Sequence, residues 1–378
     1  MPSFMTRAGI FVETPRFWND AFPKFDDAIL WGGSAVGNPE LRAEAARTDA
    51  TSITVHGMSA LFTRRTFLAQ ASVAAVAGCT TTPAQRGNPV MSQARAVKEI
   101  LAGMPTSDGA GVKLTRVIGQ PRLRNLDPFL MLDRFHSDDP NAYIAGFPTH
   151  PHRGFETVTV MLNGRMRHED SRGNKGLIQG GGVQWMTAGR GILHSEMPEQ
   201  DRGLMSGFQL WINLPKEEKM CDPFYQDLQP EALAAPGAAP IKTTDLDGKG
   251  AARVVSGDLF GVHGPVRNRA AEPLLAHVVL QAGHKIDVPT PVGHTAFFFV
   301  NEGSVKIGEK LIKRAEIALL DAGERIVLEA GDQGAQLLLA AAKPFGEPIV
   351  QHGPFVMTTA EEIDRAIYDY RRGTLGRD

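Results

Sequence analysis

Two short patterns, His150-Pro151-His152 and His194-Ser195-Glu196, set metal-competent side chains at i and i+2. In a β-strand, residues two apart point to one face of the sheet, so each pattern predicts a strand carrying two donors on one side. Two such strands lying side by side in a barrel bring three imidazoles and a carboxylate to one point inside it. That donor set suits a divalent transition metal, and Fe2+, Mn2+, Ni2+, Cu2+ and Zn2+ all satisfy it by ligand softness. A single H-x-H is a weak signal that can be incidental. Here both pairs fall at predicted strand ends bordered by glycine and proline turn residues. A mononuclear site of His150, His152, His194 and Glu196 is therefore the leading expectation.

The chain must then be rich in strands, and its composition agrees. Forty Gly and 25 Pro with few long helical patterns point to a turn-rich β protein. At 378 residues there is room for two domains and a tail, on a prior of about 100–200 residues per domain. An apolar share of 42% and a charged share of 22% allow an ordinary core. The net charge is −2 and no basic run stands out, which disfavours a nucleic-acid partner. The two cysteines, Cys79 and Cys221, give neither a disulfide framework nor a zinc finger. No apolar run reaches the roughly 18–20 residues of a membrane span, and a monomer is the expected state.

The first ninety residues read as targeting and linker rather than fold. Thr63-Arg64-Arg65-Thr66-Phe67-Leu68 resembles the twin-arginine pattern of bacterial export signals, departing from it at Ala69, where Lys is common. A mildly apolar stretch follows to Ala77, and Val76-Ala77-Gly78-Cys79 resembles a lipobox, with Cys79 the residue to be acylated. Residues 58–79 are thus expected to be an export signal. The location it implies is the bacterial periplasm, or a membrane-anchored lipoprotein held by a lipid at Cys79; the alternative is a cytoplasmic protein. Met58 stands where an initiator is expected, so residues 1–57 read as a non-native or disordered extension. Residues 80–94, rich in Thr, Pro and Gly, read as a linker.

From Val97 onward the pattern is short β segments and turns. Val112–Ile118 alternates, Asp127-Pro128 turns the chain into the apolar run Phe129–Leu132, and Thr157–Leu162 is the clearest strand. Asn163-Gly164 is a strong hairpin signal and predicts Arg165–His168 as the returning partner. Gly180-Gly181-Gly182 turns into Val183–Met186, and Gly189-Arg190-Gly191 turns into the strand with His194 and Glu196. A second run, roughly 251–345, includes Ala276–Leu280, Ala296–Val300, a turn at Asn301-Glu302-Gly303, Ile317–Leu320, Arg325–Leu328 and Gln336–Ala340. It has no H-x-H, and its His277, His284 and His294 are read as structural. Thr359-Ala360-Glu361-Glu362 is a capping box opening a helix whose apolar stripe is Ile363, Ala366, Ile367 and Tyr370, with Gly373 past its end.

The segments His150–Thr159 and Gln184–Glu196, with Gly353-Pro354-Phe355-Val356-Met357 near the end, resemble the pirin family of the cupin superfamily. The resemblance covers about residues 95–378. It implies an all-β chain of two stacked double-stranded β-helix (jelly-roll) barrels with a short C-terminal helix. A metal-binding barrel is expected at 95–225, a barrel without ligands at 226–350 and a C-terminal segment at 351–378. It implies one iron, Fe2+, on His150, His152, His194 and Glu196. The general cupin pattern nominates Glu156 instead; the pirin assignment is followed. Gly182 stands where a polar residue is often found and is expected to alter the pocket mouth.

The family includes quercetin 2,3-dioxygenases, so the first expectation is an oxygenase taking a flavonol or related small aromatic together with dioxygen. The metal acts as Lewis acid and template on the 3-hydroxyl, and Glu196, the one carboxylate of the set, is the natural base. Met161, Trp185 and Met186 are candidate wall residues, with ordinary packing the stronger reading for each. The second expectation is a non-catalytic, redox-responsive binding module, since other family members are described as metal-dependent regulators. A cupin isomerase or a degenerate storage protein is the third.

Overall fold

The computed structural model describes residues 93–236 and 238–377, an all-β body with one α-helix at its C-terminal end. The extension, the export signal and the linker up to residue 92 lie outside the described residues.

Two sheets form the first barrel. One runs in the order Phe224–Leu228, Val183–Thr187, Phe155–Asn163, Met205–Asn213, Phe129–Ser137, Val112–Ile118 and Met104–Asp108. The other runs Phe147–His152, Ile192–Pro198, Arg165–Asp170 and Lys175–Gln179. The second barrel is a nine-stranded sheet centred on Thr295–Ile307 and the 18-residue strand Arg325–Ala342. Val97–Ala102 pairs with Glu316–Leu320 and so belongs to this second sheet, although it precedes every strand of the first.

The strand Phe155–Asn163 is buried on both faces, which is why its sequence reads as a nearly continuous β-branched and apolar run. Its odd-numbered Thr159 and Met161 face the interior of the first barrel, while Val158 and Val160 pack against the second. The shared core also takes Phe208, Leu210 and Ile212 from one side and Phe297, Phe299, Leu338 and Ala340 from the other. Phe129 and Phe208 meet Phe297 and Phe299 edge to face, at centroid distances of 4.9 and 5.8 Å. Each fully buried side chain of this kind contributes about 1.5–3 kcal/mol. The second barrel's own interior is filled by Val278, Phe298, Val300, Leu337 and Leu339.

Three turn expectations are corrected. Gly164 has φ +90, but Phe155–Asn163 and Arg165–Asp170 do not pair; the turn is a corner that carries the chain from one sheet to the other. Asn301-Glu302-Gly303 does not break a strand: Thr295–Ile307 runs through it, with bulges absorbing the extra residues. The two segments 325–328 and 336–340 are one long strand. The expected helix forms over Ala360–Arg371, with Thr359 and Glu362 closing the capping box and Ile363 and Ala366 buried. No described helix is long and apolar enough to cross a membrane.

Candidate metal centre

His150 and His194 sit on neighbouring antiparallel strands in direct register, with His152 opposite Ile192. The i, i+2 spacing therefore does what the sequence suggests: all three imidazoles turn inward and are buried. Their donor nitrogens lie within 4.8 Å of one another. Donors about 2.1 Å from a shared ion stand about 3 Å apart at cis positions, so small ring movements close the set onto one ion. Burial pushes His150 below the usual histidine range and His152 and His194 well below it. Neutral rings keep a lone pair for a metal. His152 Nδ1 and His194 Nε2 are buried without a hydrogen-bond partner, a costly state unless something fills the place. The residues present fit a divalent transition ion.

Glu196 is brought to the same cavity but not into that tight group of nitrogens. The strand pairing slips between His194 and Glu196, so the carboxylate is opposite Phe147 rather than one register step beyond His150. It is buried, and Thr159 Oγ1 and Gln209 Nε2 each donate to it at 2.8 Å. Glu156 points the other way, toward the second barrel. It accepts from Thr187 at 2.7 Å and pairs with Arg269 at 3.2 Å. Burial pushes its carboxyl up, opposed by the Thr187 hydroxyl and the Arg269 guanidinium.

His150 and His152, with Glu196, open onto a cavity of about 280 Å³ with apolar walls from Leu114, Met131, Phe135, Phe147, Met166 and Trp211; His194 stands behind them, its ring 4.3 and 4.9 Å from theirs. Among the candidate walls, Met161, Trp185 and Met186 pack in the core instead, and Gly182 does not line the cavity. Arg116 closes one side, forked onto Asp133 at 2.9 and 2.7 Å and onto Asp108 at 2.8 Å. Gln351, Gly353 and Pro354 of the C-terminal segment also line it. That segment is seated by a bridge between Arg153 and Phe355 and by the Arg153–Asp369 ion pair at 2.9 Å. At Gly154, φ is +88 and a Cβ would fall on the Val356 carbonyl, so the glycine of the His150–Glu156 segment is what lets this chain approach.

A third inward pair escaped the sequence reading. His168 and Asp170 lie on Arg165–Asp170, opposite Glu196 and His194 respectively, and both side chains are fully buried. The signal was there, since His168-Glu169-Asp170 has the same i, i+2 spacing as the other two patterns.

The family model described as Pirin matches residues 111–212, and the one described as Pirin C-terminal cupin domain matches 275–376. A Pseudomonas aeruginosa protein named "Putative quercetin 2,3-dioxygenase" is 49% identical over 288 residues, covering 75% of this chain and 99% of that protein. A Caulobacter vibrioides pirin-like protein is 46% identical over 280 residues, 74% of this chain and 98% of that one. The crystal structure of a quercetin 2,3-dioxygenase from Acinetobacter baumannii superposes with a TM-score of 0.68 at 31% identity, over 75% of this chain and 99% of that chain.

Proposed function

The chain belongs to the pirin family, and on that premise we propose that it is a mononuclear iron oxygenase of the quercetin 2,3-dioxygenase type. The observation that carries the reading is a cluster of three buried, neutral imidazoles, two of which line one apolar-walled cavity together with a buried carboxylate. His150, His152, His194 and Glu196 would hold Fe2+, other divalent ions being chemically acceptable to the same set. When bound, the ion supplies Lewis acidity at the oxygen of a flavonol or related aromatic. Trp211, Phe147 and Met131 offer the ring system a dry slot and keep water from it. Glu196, held on both oxygens by Thr159 and Gln209, is placed to take the proton of the 3-hydroxyl. Oxygen uptake by Fe2+-loaded protein with quercetin, against His152→Ala treated alike, tests the reading. Uptake only in the parent supports it; none in a fully loaded parent removes it.

One observation favours a second reading, a non-catalytic module whose metal state is shown to a partner. His152 lines the cavity beside Gln351, Gly353 and Pro354, so a residue that would hold the ion lies beside an exposed segment at residues 351–353. If that reading holds, proteolysis at this segment differs between the ferrous and ferric protein while oxygen uptake with quercetin stays at background.

A further inference from the structure

His168 and Asp170 make a directed chain that ends on His194. Asp170 is fastened by the turn that follows it: Oδ1 accepts from the backbone N–H groups of Arg172 and Asn174 at 2.9 and 3.0 Å, and Oδ2 from Asn174 Nδ2 at 2.8 Å. Its Oδ2 lies 3.4 Å from His168 Nε2, and His168 Nδ1 lies 3.4 Å from His194 Nδ1. The His168 ring is stacked on Tyr225 at 4.6 Å and 24°, which fixes its plane.

The carboxylate decides where the protons are. An ionised Asp170 can only accept, so His168 carries its proton on Nε2 and presents a lone pair at Nδ1. His194 must then donate from Nδ1, which leaves the lone pair on its Nε2. That nitrogen is the one buried without a partner. The opposite arrangement would put a proton on Nε2 of His194 and leave it unable to bind a cation.

We propose that Asp170 and His168 are positioning residues that lock His194 in its metal-binding tautomer and strengthen it as a donor to a divalent transition ion. The inference rests on His194 holding the ion, as in the proposed function, but not on oxygenase activity. A carboxylate–imidazole relay behind a ligand raises the ligand's basicity, and its loss typically lowers metal affinity about 10–100-fold. Neither residue itself lines the cavity, so a substrate-binding role does not compete with this one.

The test is Co2+ and Fe2+ binding by equilibrium competition with a chelator, together with the ferric/ferrous potential of the iron-loaded protein and the melting of the apoprotein. His168→Leu removes the acceptor; His168→Gln restores one; Asp170→Asn keeps the shape and removes the charge. Expected are a loss of affinity of about 10-fold or more in His168→Leu, substantial recovery in His168→Gln, and a raised potential in Asp170→Asn. Parent-like affinity in His168→Leu, or equal loss in His168→Leu and His168→Gln, overturns the relay. Should His168→Leu not fold, an unchanged potential in Asp170→Asn overturns it. If the parent itself binds no better than His194→Ala, the metal assignment fails, and the relay falls with it for that separate reason.

Discussion

Two carboxylates compete for the role of fourth donor, and the structure separates them by the direction each strand residue faces. Glu156 is at an even position of Phe155–Asn163 and meets Arg269 from the second barrel; Glu196 meets Thr159, Gln209 and the cavity. Glu156→Gln is expected to leave metal content unchanged and to cost about 1–3 kcal/mol of stability, read from a urea midpoint, because it unbalances a largely buried ion pair. Loss of metal in that variant would reverse the assignment. Glu196→Gln keeps the shape and hydrogen-bonding span but not the base. A drop of about 10²-fold or more in turnover, with three imidazoles still binding metal more weakly, is the expected result. At this scale the histidines were legible because a period of two needs no knowledge of the partner strand. Thr159, Gln209 and Trp211 were not, because nothing in a strand's own sequence says which of its faces will meet a cavity.

The elements that seat the site are less readable still. The capping box at Thr359 named its helix correctly, since capping is settled within four residues. What that helix packs against is a matter of tertiary contact: Phe355, Met357, Leu375 and the side of Leu193. Asn163-Gly164 gave a true turn and a false partner, because a glycine with positive φ serves a corner as well as a hairpin. Lys219 is the clearest case of a residue that only the folded chain explains. Its ammonium, with burial pushing its pKa down to about 8, donates to the Gly154 carbonyl at 2.8 Å, Asn213 Oδ1 at 2.6 Å and the Val356 carbonyl at 3.1 Å. It thus ties the turn after His152 to the C-terminal segment over the cavity. Lys219→Met, leaving three acceptors unpaired, is expected to cost on the order of 2–4 kcal/mol and to quicken metal release to a chelator. Unchanged release would show that the tie has no bearing on the site.

In the whole molecule the two barrels share a core, and each is completed by chain from beyond its own run. Val97–Ala102 joins the second sheet, and the segment 350–377 closes over the first barrel. Two β-rich halves could be read from the sequence, because each strand announces itself locally. Their exchange of ends could not, since it depends on pairings hundreds of residues apart. His277, read as structural, is buried within the second sheet, opposite Arg253 and Leu338. It lies on the sheet face that carries the shared core, with Nε2 unpartnered, and burial together with Arg253 pushes its pKa down to about 3. The unfolded chain binds a proton there from about pH 6.5 downward and the folded chain does not. Stability is therefore lost as pH falls from 6.5 toward 3, by about 1.4 kcal/mol per unit. His277→Gln should flatten that acid limb in a pH series of unfolding midpoints; an equally steep limb would place the acid sensitivity elsewhere.

The central claim is that His150, His152, His194 and Glu196 hold one divalent ion. The most direct measurement is the metal content of Fe2+-reconstituted, desalted protein, read for the parent and for the His152→Ala/His194→Ala double variant. The account predicts one ion per chain in the parent and almost none in the variant. Equal content in the two, or a parent that retains no metal, would contradict it.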